Sequence, residues 1–506
     1  MKRKLYSLLV LVMIAAIVAG GCGSQGDTSS NTSDASQVSS SGSSGQGNLD
    51  TSERAEIVMY IIGNQSPDFE NVLQEFNKKS LADLNATLQV NYLNWGEYKT
   101  KYPLLLSSGE PIDLIYTATW MNYYYQAQKG AFKPIEDLLP VYCPDSYKSI
   151  SEEAMKQATV NGHVYGVAGT KESYNAYGPV VRKDLMDKYG MKSIDNFDQY
   201  GDFLKAVAKN EKGIDPTFFT STGSELDDIY MLSKGLYPLT GNSGSIYWID
   251  PTQENPKVFS KTDWEGMPEF LAKMKEWGDA GSWSKSALAN KDTEKMNNGT
   301  AASRIKNLEV WVSSNIDTKW EFNFYNFVKP IEVLSHMQDA MAVPISSKNT
   351  ERALMLLDKI KSDKTYYNLL NYGIEGVNYK IHEDNTIESV DSAKFAFQNG
   401  FWGMQMRDFD LNMVGSPETL PQVQKEYHDT AVPNKFRSYY MDTEKIKNEY
   451  AAVQNVMEQY FNPLELGYVD PAKGLADTQK QMKAAGNEKV LSELQAQIDK
   501  FVAENK

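Results

Sequence analysis

The side chains that carry most enzyme chemistry stand in no pattern typical of a catalytic or metal site. The four histidines, His163, His336, His382 and His428, form no H-E-x-x-H or other close metal-ligand spacing. The Gly-x-Ser-x-Gly nucleophile motif, the P-loop and Gly-x-Gly-x-x-Gly are absent. The 66 Asp and Glu allow many carboxylate pairs for glycoside hydrolysis, but no pair is marked by its setting. We therefore expect no catalytic residue, no metal and no cofactor.

Aromatic residues are the chemically distinctive part of the composition. The 506 residues include 30 Tyr, 19 Phe and 9 Trp in a chain of net charge −15. The acidic balance argues against nucleic acid as a partner, because phosphate backbones recruit Lys and Arg. Two cysteines cannot make a disulfide-rich scaffold, and Cys143 is expected to be a small buried residue. So many Tyr and Trp residues suggest that some of them face a ligand.

Periodic patterns place these residues on an α/β framework. Residues 56–62 (EIVMYII) form the apolar run of a buried parallel strand, and Phe69, Val72, Leu73 and Phe76 follow at helical spacing. A second strand is predicted at 88–92, a second helix at 98–105 and a third strand at 112–116. Ligands of such sheets bind beyond the carboxyl ends of the strands. The loops 63–67 and 117–122 are therefore the first places to look for a site, and Trp120 follows the third strand directly.

The first fifty residues have the pattern of an export signal and a tether. A basic start at residues 2–4 precedes an apolar segment at 8–19, which is too short to span a bilayer. The sequence Ala19-Gly20-Gly21-Cys22 resembles the bacterial lipobox, so residues 1–21 are expected to be a signal peptide and Cys22 a lipidation site. The alternative is a plain signal peptide cut near Gly21. Residues 22–50 form a Ser/Gly-rich tether, whose reach is about 25–30 Å for 26 flexible residues.

An ordered set of segments resembles the family 1 extracellular solute-binding proteins, the maltose-binding-protein-like lipoproteins of ATP-driven (ABC) carbohydrate importers. The segments are the lipobox, GNQSP at 63–67, SGEPIDLI at 108–115, KGAF at 129–132 and NGHVY at 161–165. A subgroup with a distinct C-terminal domain is resembled by VRKDL at 181–185, YGIEGVNY at 372–379 and GYVDP at 467–471. The resemblance runs in order over residues 50–506.

The resemblance implies a two-lobed periplasmic-binding-protein-like fold of type II, with hinge-linked lobes, mostly parallel sheets and a helical C-terminus. Lobe 1 is expected to comprise 50–168 and 303–338, and lobe 2 to comprise 169–302 and 339–506. The resemblance also implies a binding protein and not an enzyme. It would capture a carbohydrate, expected to be an oligosaccharide, between the lobes and deliver it to the permease subunits of an ABC importer.

The family pattern suggests which side chains hold the ligand. Asn64 and Gln65 match the loop after the first strand, with simple turn chemistry as the alternative. Trp120, Asn122 and Tyr123 match the loop after the third strand, where Trp120 either contacts the ligand or caps the core. Glu309 and Trp311 would share one face of a strand and therefore lie together in the cleft or in the core. The remaining candidates, from lobe crossings, the subgroup region and a predicted helix start, are Tyr174, Tyr177, Trp402 and Trp95.

Three functions remain open from the sequence. The leading hypothesis is a monomeric binding protein, anchored by its N-terminal lipid to the outer face of the bacterial cell membrane. The first alternative is a cell-surface glycoside hydrolase or lyase that uses a carboxylate pair. The second alternative is an anchoring or sensory lipoprotein with a filled or shallow cleft.

Overall fold

A computed structural model describes residues 51–95, 97–219, 224–240, 244–290, 292, 294–316 and 318–505. The predicted signal peptide, the lipidation site at Cys22 and the whole of the predicted tether lie outside the described residues. The strands are β1 (Ala55–Ile62), β2 (Ala86–Leu93), β3 (Leu114–Thr117), β4 (Thr159–Val160), β5 (His163–Val164), β6 (Gly166–Ala168), β7 (Tyr177–Arg182), β8 (Tyr237–Pro238), β9 (Tyr247–Ile249), β10 (Phe259–Ser260), β11 (Ser303–Asn307), β12 (Phe322–Phe324), β13 (Glu332–Val333), β14 (Ala340–Ala342), β15 (Tyr379–Ile381), β16 (Ile387–Ser389) and β17 (Val432–Pro433).

The helices divide between two cores and a C-terminal group. They are α1 (Phe69–Leu84), α2 (Tyr98–Ser108), α3 (Tyr123–Gln128), α4 (Leu139–Tyr142), α5 (Pro144–Ser149), α6 (Glu152–Ala158), α7 (Lys183–Lys188), α8 (Phe197–Asn210), α9 (Leu226–Ser233), α10 (Met267–Asp279), α11 (Leu308–Asn315), α12 (Thr350–Ser362), α13 (Lys364–Tyr372), α14 (Leu420–Thr430), α15 (Lys447–Val456), α16 (Asn462–Glu465), α17 (Pro471–Ala484) and α18 (Asn487–Glu504). A π-helical turn, Met457–Phe461, joins α15 to α16.

The first lobe is built on a five-stranded sheet of order β2-β1-β3-β14-β6. The β1 strand runs parallel to β2 over its whole length and parallel to β3, because α1 and α2 return the chain to the same end of the sheet. The predicted face of α1 is confirmed, since Phe69, Val72, Leu73 and Phe76 are buried. Cys143 is also buried in this core, as expected.

The second lobe has two three-stranded sheets, β11-β7-β12 and β10-β9-β8. All pairings within these two sheets are antiparallel. The two-lobed α/β fold is confirmed, but the expectation of mostly parallel sheets is correct only for the β1-β2-β3 part of the first lobe. The second lobe has short strands and lacks the regular alternation of strands and helices from which the first lobe could be predicted.

Strand pairing disagrees with the predicted lobe boundaries at 302/303 and at 338/339. Strand β11, expected in lobe 1, pairs with β7 at five positions in the second lobe. Strand β14 lies in the first sheet between β3 and β6, and Leu354 and Leu370 from α12 and α13 pack in the first core. Residues 303–331 therefore belong with the second lobe and 337–404 with the first. These strands pair with partners more than a hundred residues away in sequence, so no local sequence pattern predicts to which lobe they belong.

Three chain segments run side by side where the lobes meet, at 169–175, 331–335 and 431–434. Glu332 joins all three, because its carboxylate accepts hydrogen bonds from Asn175 Nδ2 at 3.2 Å and Asn434 Nδ2 at 2.6 Å. Its own strand, β13, pairs in parallel with β17. Desolvation in this partly buried position raises the pKa of Glu332. This three-segment hinge agrees with a fold whose chain crosses several times between lobes.

A buried charged cluster attaches the C-terminal helices to the second lobe. Lys261 Nζ contacts Asp227 and lies 3.3 Å from Asp228, while Glu465 of α16 accepts hydrogen bonds from Ser224 Oγ and from the Asp227 backbone at 3.3 Å. All five residues are buried. Burial beside Asp227 raises the pKa of Asp228 to about 7. Three carboxyl groups around one lysine are thus held in the folded protein with incomplete charge compensation.

Candidate functional site

The first sheet brings five loops to one edge. Strands β1, β2 and β3 are parallel, so the loops that follow them leave the sheet at the same end. Strand β14 runs the opposite way, with Ala340 opposite Thr117 and Ala168. The residues before β14 therefore lie beside the loops after β3 and β6. This edge is where ligands bind in open α/β sheets.

Three tryptophans from three of the surrounding segments form an aromatic platform at this edge. Trp95 follows β2, Trp120 lies in the turn after β3, and Trp402 lies in a single helical turn far along the chain. The Trp95 ring centroid is 6.0 Å from that of Trp120, with 22° between the planes, and 5.6 Å from that of Trp402. Trp95 is 51% exposed. Trp120 and Trp402 are partly buried, and the surface that the three rings leave accessible suits the C–H faces of a sugar ring.

Close backbone packing brings Trp402 to the platform. The segment before Trp402 crosses the carboxyl end of β1, where Gly400 approaches the Ile62 carbonyl so closely that a Cβ atom would collide with it. Gly63 has a φ of 142°, and a Cβ there would lie 2.7 Å from Asn399 Oδ1. Asn399 also donates a hydrogen bond to the Asn64 carbonyl. Glycine at 63 and 400 therefore permits the contact that joins the 399–402 segment to the first sheet.

Asp339 supplies a carboxylate beside the platform. The Tyr116 hydroxyl donates a hydrogen bond to it, and the Trp120 indole N–H lies nearby. These donors favour the charged form, but desolvation outweighs them and raises the pKa of Asp339 to about 6. Next to it, Gln338 Oε1 accepts a hydrogen bond from Thr119 Oγ1 at 2.8 Å. Carboxylate and amide groups that already hold donors on one side can accept ligand hydroxyls on another.

The second lobe contributes a carboxylate to the same cleft. Glu309 lies in the first turn of α11, where its side chain is open to solvent. The surrounding protein still desolvates it enough to raise the pKa of Glu309. Glu309 interacts electrostatically with Asp339, and Lys171 interacts electrostatically with both carboxyl groups. Lys171 is engaged by Asp410, with 2.9 Å between Nζ and Oδ2. The polar part of the cleft is therefore rich in acceptors.

A cavity of about 560 Å³ adjoins the platform. Its first-lobe wall includes Trp120 and Asn122, and its other wall comes from the second lobe and from residues 434–454. The volume falls within the range of about 300–1,000 Å³ typical of small-molecule sites. Trp120 and Tyr98 line the cavity and also contact one another in the aromatic cluster. The cavity and the platform are thus continuous.

The structure brings several of the sequence-predicted residues to this cleft. Trp95 contacts both Trp120 and Trp402, and Asn122 lines the cavity. Asn64 and Gln65 are exposed in the loop after β1. The three-residue turn at Thr119–Met121 is followed by Asn122 in a left-handed conformation, with φ of 62°. Local turn geometry after a strand therefore positions most of the first-lobe candidates.

Tyr174 and Tyr177 lie on the way into the second lobe, and both are half-buried. The Tyr174 hydroxyl donates to Glu172 Oε2 at 2.9 Å, and its ring packs edge-on against Tyr427. Tyr177 begins β7, and burial together with the nearby charges of Glu225 and Glu309 raises the pKa of its hydroxyl. Tyr174 thus belongs to the hinge, while Tyr177 lies close to the cleft carboxylate.

Two predicted contacts lie in the cores instead. Tyr123 has no exposed surface, and its hydroxyl donates to the Ala158 carbonyl at 2.6 Å. Trp311 is 4% exposed, and its Nε1 donates to the Phe322 carbonyl at 2.7 Å. Both polar atoms are already satisfied inside the protein, so neither side chain is available to a ligand.

The prediction that Glu309 and Trp311 share a strand is also wrong. Residues 308–315 form α11, which begins where Asn307 Oδ1 accepts a hydrogen bond from the Val310 backbone. Positions two apart on a helix point in different directions. Glu309 consequently lies on the exposed side of α11, while Trp311 packs against Phe324 with ring centroids 5.8 Å apart.

Among the described residues, no helix is long and apolar enough to cross a membrane. Over the same part of the chain, no group of three or more His, Cys, Asp and Glu is arranged to hold a metal ion.

Comparison with known proteins connects this geometry to a family. Residues 71–400, more than half of the chain, match the model of the bacterial extracellular solute-binding proteins. The chain belongs to this family. The solute-binding protein also matches, over residues 435–503, a model for a domain of unknown function, DUF3502. The predicted family and its subgroup with a distinct C-terminal domain are thereby confirmed.

Three similar proteins span much of this solute-binding protein. A carbohydrate ABC transporter substrate-binding protein of Streptococcus pneumoniae is 25% identical over 480 residues, which cover 90% of this chain and 93% of the relative. Lipoprotein LipO of Bacillus subtilis is 24% identical over 60% of this chain and 63% of its own. The crystal structure of the N-glycan transport solute-binding protein NgtS of S. pneumoniae with Man1GlcNAc has a TM-score of 0.75 at 22% identity, covering 89% of this chain and all of that one.

Sequence reasoning missed Asp339 and the C-terminal wall of the cavity. Asp339 stands immediately before the short apolar strand β14. It could be placed at the ligand-binding edge only if β14 were known to run antiparallel to β3 and β6. The C-terminal wall carries no local signal, because α15 has an ordinary surface-helix pattern. Tyr98, at the start of the second predicted helix, lies in the aromatic cluster and lines the cavity.

Proposed function

We propose that the chain is an extracytoplasmic binding protein that captures an oligosaccharide in the cleft between its lobes. The observation that carries the proposal is the Trp95, Trp120 and Trp402 platform with the Asp339 carboxylate beside it. Flat aromatic faces stack on sugar rings, and carboxylate oxygens accept hydrogen bonds from sugar hydroxyls. Asn64, Gln65, Asn122, Tyr177 and Glu309 are proposed to complete the polar contacts.

Ligand binding would stabilise a closed arrangement of the lobes over an open one, by as much as the ligand favours the closed state. The hinge at Glu332, where three segments meet, is suited to this motion. The closed form would then be recognised by the permease subunits of an ABC importer. The similar carbohydrate ABC transporter substrate-binding protein and the N-glycan-binding NgtS support this role.

We further propose that the protein acts as a monomer tethered to the outer face of the cell membrane through lipid on Cys22. The support is the sequence Ala19-Gly20-Gly21-Cys22 and the similarity to a protein named as a lipoprotein. A tether of 26 residues reaching about 25–30 Å would let the folded body meet a membrane-embedded permease.

Tryptophan fluorescence tests the proposal, because three tryptophans lie at the site. Purified protein is titrated with linear manno-, gluco- and galacto-oligosaccharides of two to six residues and with N-glycan fragments. We expect a saturable change with at least one of them and recovery of that sugar intact by chromatography. No saturation with any carbohydrate would contradict the proposal.

Hydrolysis is the second candidate, and one observation favours it. Asp339 has a pKa of about 6 and Glu309 also has a raised pKa, as expected of a general acid in a glycosidase. Chromatography in the same titration separates the two functions, because a hydrolase would release shorter products. Loss of those products in the Asp339→Asn variant would then establish catalysis.

A further inference from the structure

The C-terminal domain reaches across the cleft to the first lobe. Arg437 lies 2.5 Å from Glu153 of α6, and Lys129, which follows α3, lies 2.6 Å from Glu444. Between these two ion pairs the Tyr440 ring stacks on Tyr124, with centroids 5.2 Å apart and 18° between planes. Residues 435–503, which match a domain of unknown function, therefore contact the first lobe as well as the second.

The same part of the chain forms one wall of the cavity. Residues of α15 and of the segment before it line the cavity opposite Trp120 and Tyr124. Along α15 the lining residues include Ala451 and Gln454, which recur at helical spacing on one exposed face. The ion pairs and the Tyr440 stack lie at this wall, so the cavity has protein on the side away from Trp95.

The cavity opens onto the platform through shared residues. Trp120 belongs to both, and Gln338, next to Asp339, also lines the cavity. A sugar ring stacked at Trp95 and Trp402 would therefore have its next units directed past Trp120 into the cavity. The lining there is mixed, with tyrosine rings together with amide and cationic side chains, which matches the mixed faces of a carbohydrate.

From this arrangement we propose that the C-terminal domain supplies a distal subsite, which holds the sugar units beyond those on the platform and makes the protein select chains longer than a disaccharide. This inference rests on the proposed function, and it specifies the ligand class as oligosaccharides longer than a disaccharide. Length selection follows because each additional unit buries further surface and makes further hydrogen bonds only if the cavity can accept it.

Filling the cavity tests the distal subsite. Ala451→Trp places a large ring in the cavity from an exposed position of α15, and Asn455→Trp, exposed on the same helix but outside the cavity lining, is the matched control. Dissociation constants are measured by calorimetry for the disaccharide and hexasaccharide of the series that binds wild type. Thermal melting confirms that each variant is folded, and Gln454→Trp serves as a second blocking variant.

We expect the wild type and Asn455→Trp to bind the hexasaccharide at least about tenfold more tightly than the disaccharide. In Ala451→Trp and Gln454→Trp this ratio should fall to about one, with disaccharide affinity within about twofold of wild type. Equal affinities for the two lengths in wild type would overturn the distal subsite, as would an unchanged ratio in both blocking variants. A loss shared equally by both sugars would also overturn it, because that pattern indicates a defect in lobe closure.

Failure of the distal subsite is distinct from failure of the proposed function. If wild type binds sugars without regard to length, carbohydrate capture stands and the subsite is rejected. If no oligosaccharide binds wild type, the proposed function itself is rejected, and the subsite with it.

Discussion

Trp95 and Trp120 stack on one another with ring centroids 6.0 Å apart, although they follow β2 and β3, which lie on opposite sides of β1. The parallel order of the three strands explains the contact, because it sends both residues out at the same edge of the sheet. Trp95 is 51% exposed, and the solvation cost of its apolar surface would be removed by a bound sugar ring. The pair therefore carries the first prediction.

Trp95→Ala should lower oligosaccharide affinity by at least about tenfold, about 1.4 kcal/mol. It should change the free energy of unfolding by no more than about 0.5 kcal/mol, because the side chain is half in solvent. Titration calorimetry and urea denaturation measure the two quantities. Trp95→Phe keeps a flat ring and should retain most of the affinity. An unchanged dissociation constant for Trp95→Ala would remove Trp95 from the site.

Trp311→Ala should show the opposite pattern. Its ring is buried against Phe324 and its Nε1 is bonded inside the protein, so truncation leaves a cavity and should cost about 3–5 kcal/mol of unfolding free energy. Urea denaturation measures this loss. At temperatures where the variant remains folded, its ligand affinity should stay close to that of wild type. A selective loss of affinity with normal stability would return Trp311 to the binding site.

Ligand binding should depend on pH through Asp339. The pKa of this carboxyl is raised to about 6 by desolvation, and hydrogen bonds from sugar hydroxyls would favour its ionised form. Binding would then release a proton near pH 6, so affinity should rise as the pH increases from 5 to about 7. Calorimetric titrations across this range give the profile. In Asp339→Asn this dependence should largely disappear and affinity should be lower at pH 7; a pH profile identical to wild type would exclude Asp339 as a ligand contact.

Stability should change with pH in the opposite direction through Asp228. Its pKa is raised to about 7 in the folded protein, against about 3.9 for an unfolded aspartate. Between these values the folded state binds more protons, so this group lowers stability as the pH rises from about 4 to 7. Asp228→Asn should flatten the decline that chemical denaturation records between pH 5 and 7. A steeper decline in the variant would contradict this assignment.

Anchoring depends on Cys22. Metabolic labelling with a radioactive fatty acid should mark the wild-type protein, and the protein should fractionate with membranes. Cys22→Ala should lose the label and appear in the medium or periplasm, because the apolar segment at 8–19 is too short to hold the protein as a membrane-spanning helix. Membrane association of the unlabelled variant would show that another feature retains it.

The first half of lobe 1 could be predicted from sequence because its information is local. Strong helical and strand periodicity between residues 55 and 117 gave the order β-α-β-α-β, and the end of β3 pointed to Trp120. The same strand-end argument applies to Trp95, which follows β2 directly. The sequence pattern marked Trp95 only as the residue before a predicted helix, because the end of β2 was not used to locate ligand-binding residues.

The features that the sequence did not predict correctly depend on contacts between distant residues or on a helix boundary that was missed. Asn307 is a typical N-cap residue, and it ends β11 and starts α11 where a continuing strand was expected. The placement of β14 depends on pairing with β3 and β6, more than a hundred residues earlier. The cavity needs α15 opposite Trp120, a relationship that only the folded chain creates.

The most direct test of the central claim is a crystal structure of the protein with the oligosaccharide that binds it most tightly. We predict a sugar ring in van der Waals contact with the Trp95, Trp120 and Trp402 platform and a sugar hydroxyl within hydrogen-bond distance of Asp339. Density for the sugar elsewhere on the protein, with the platform empty, would contradict the account.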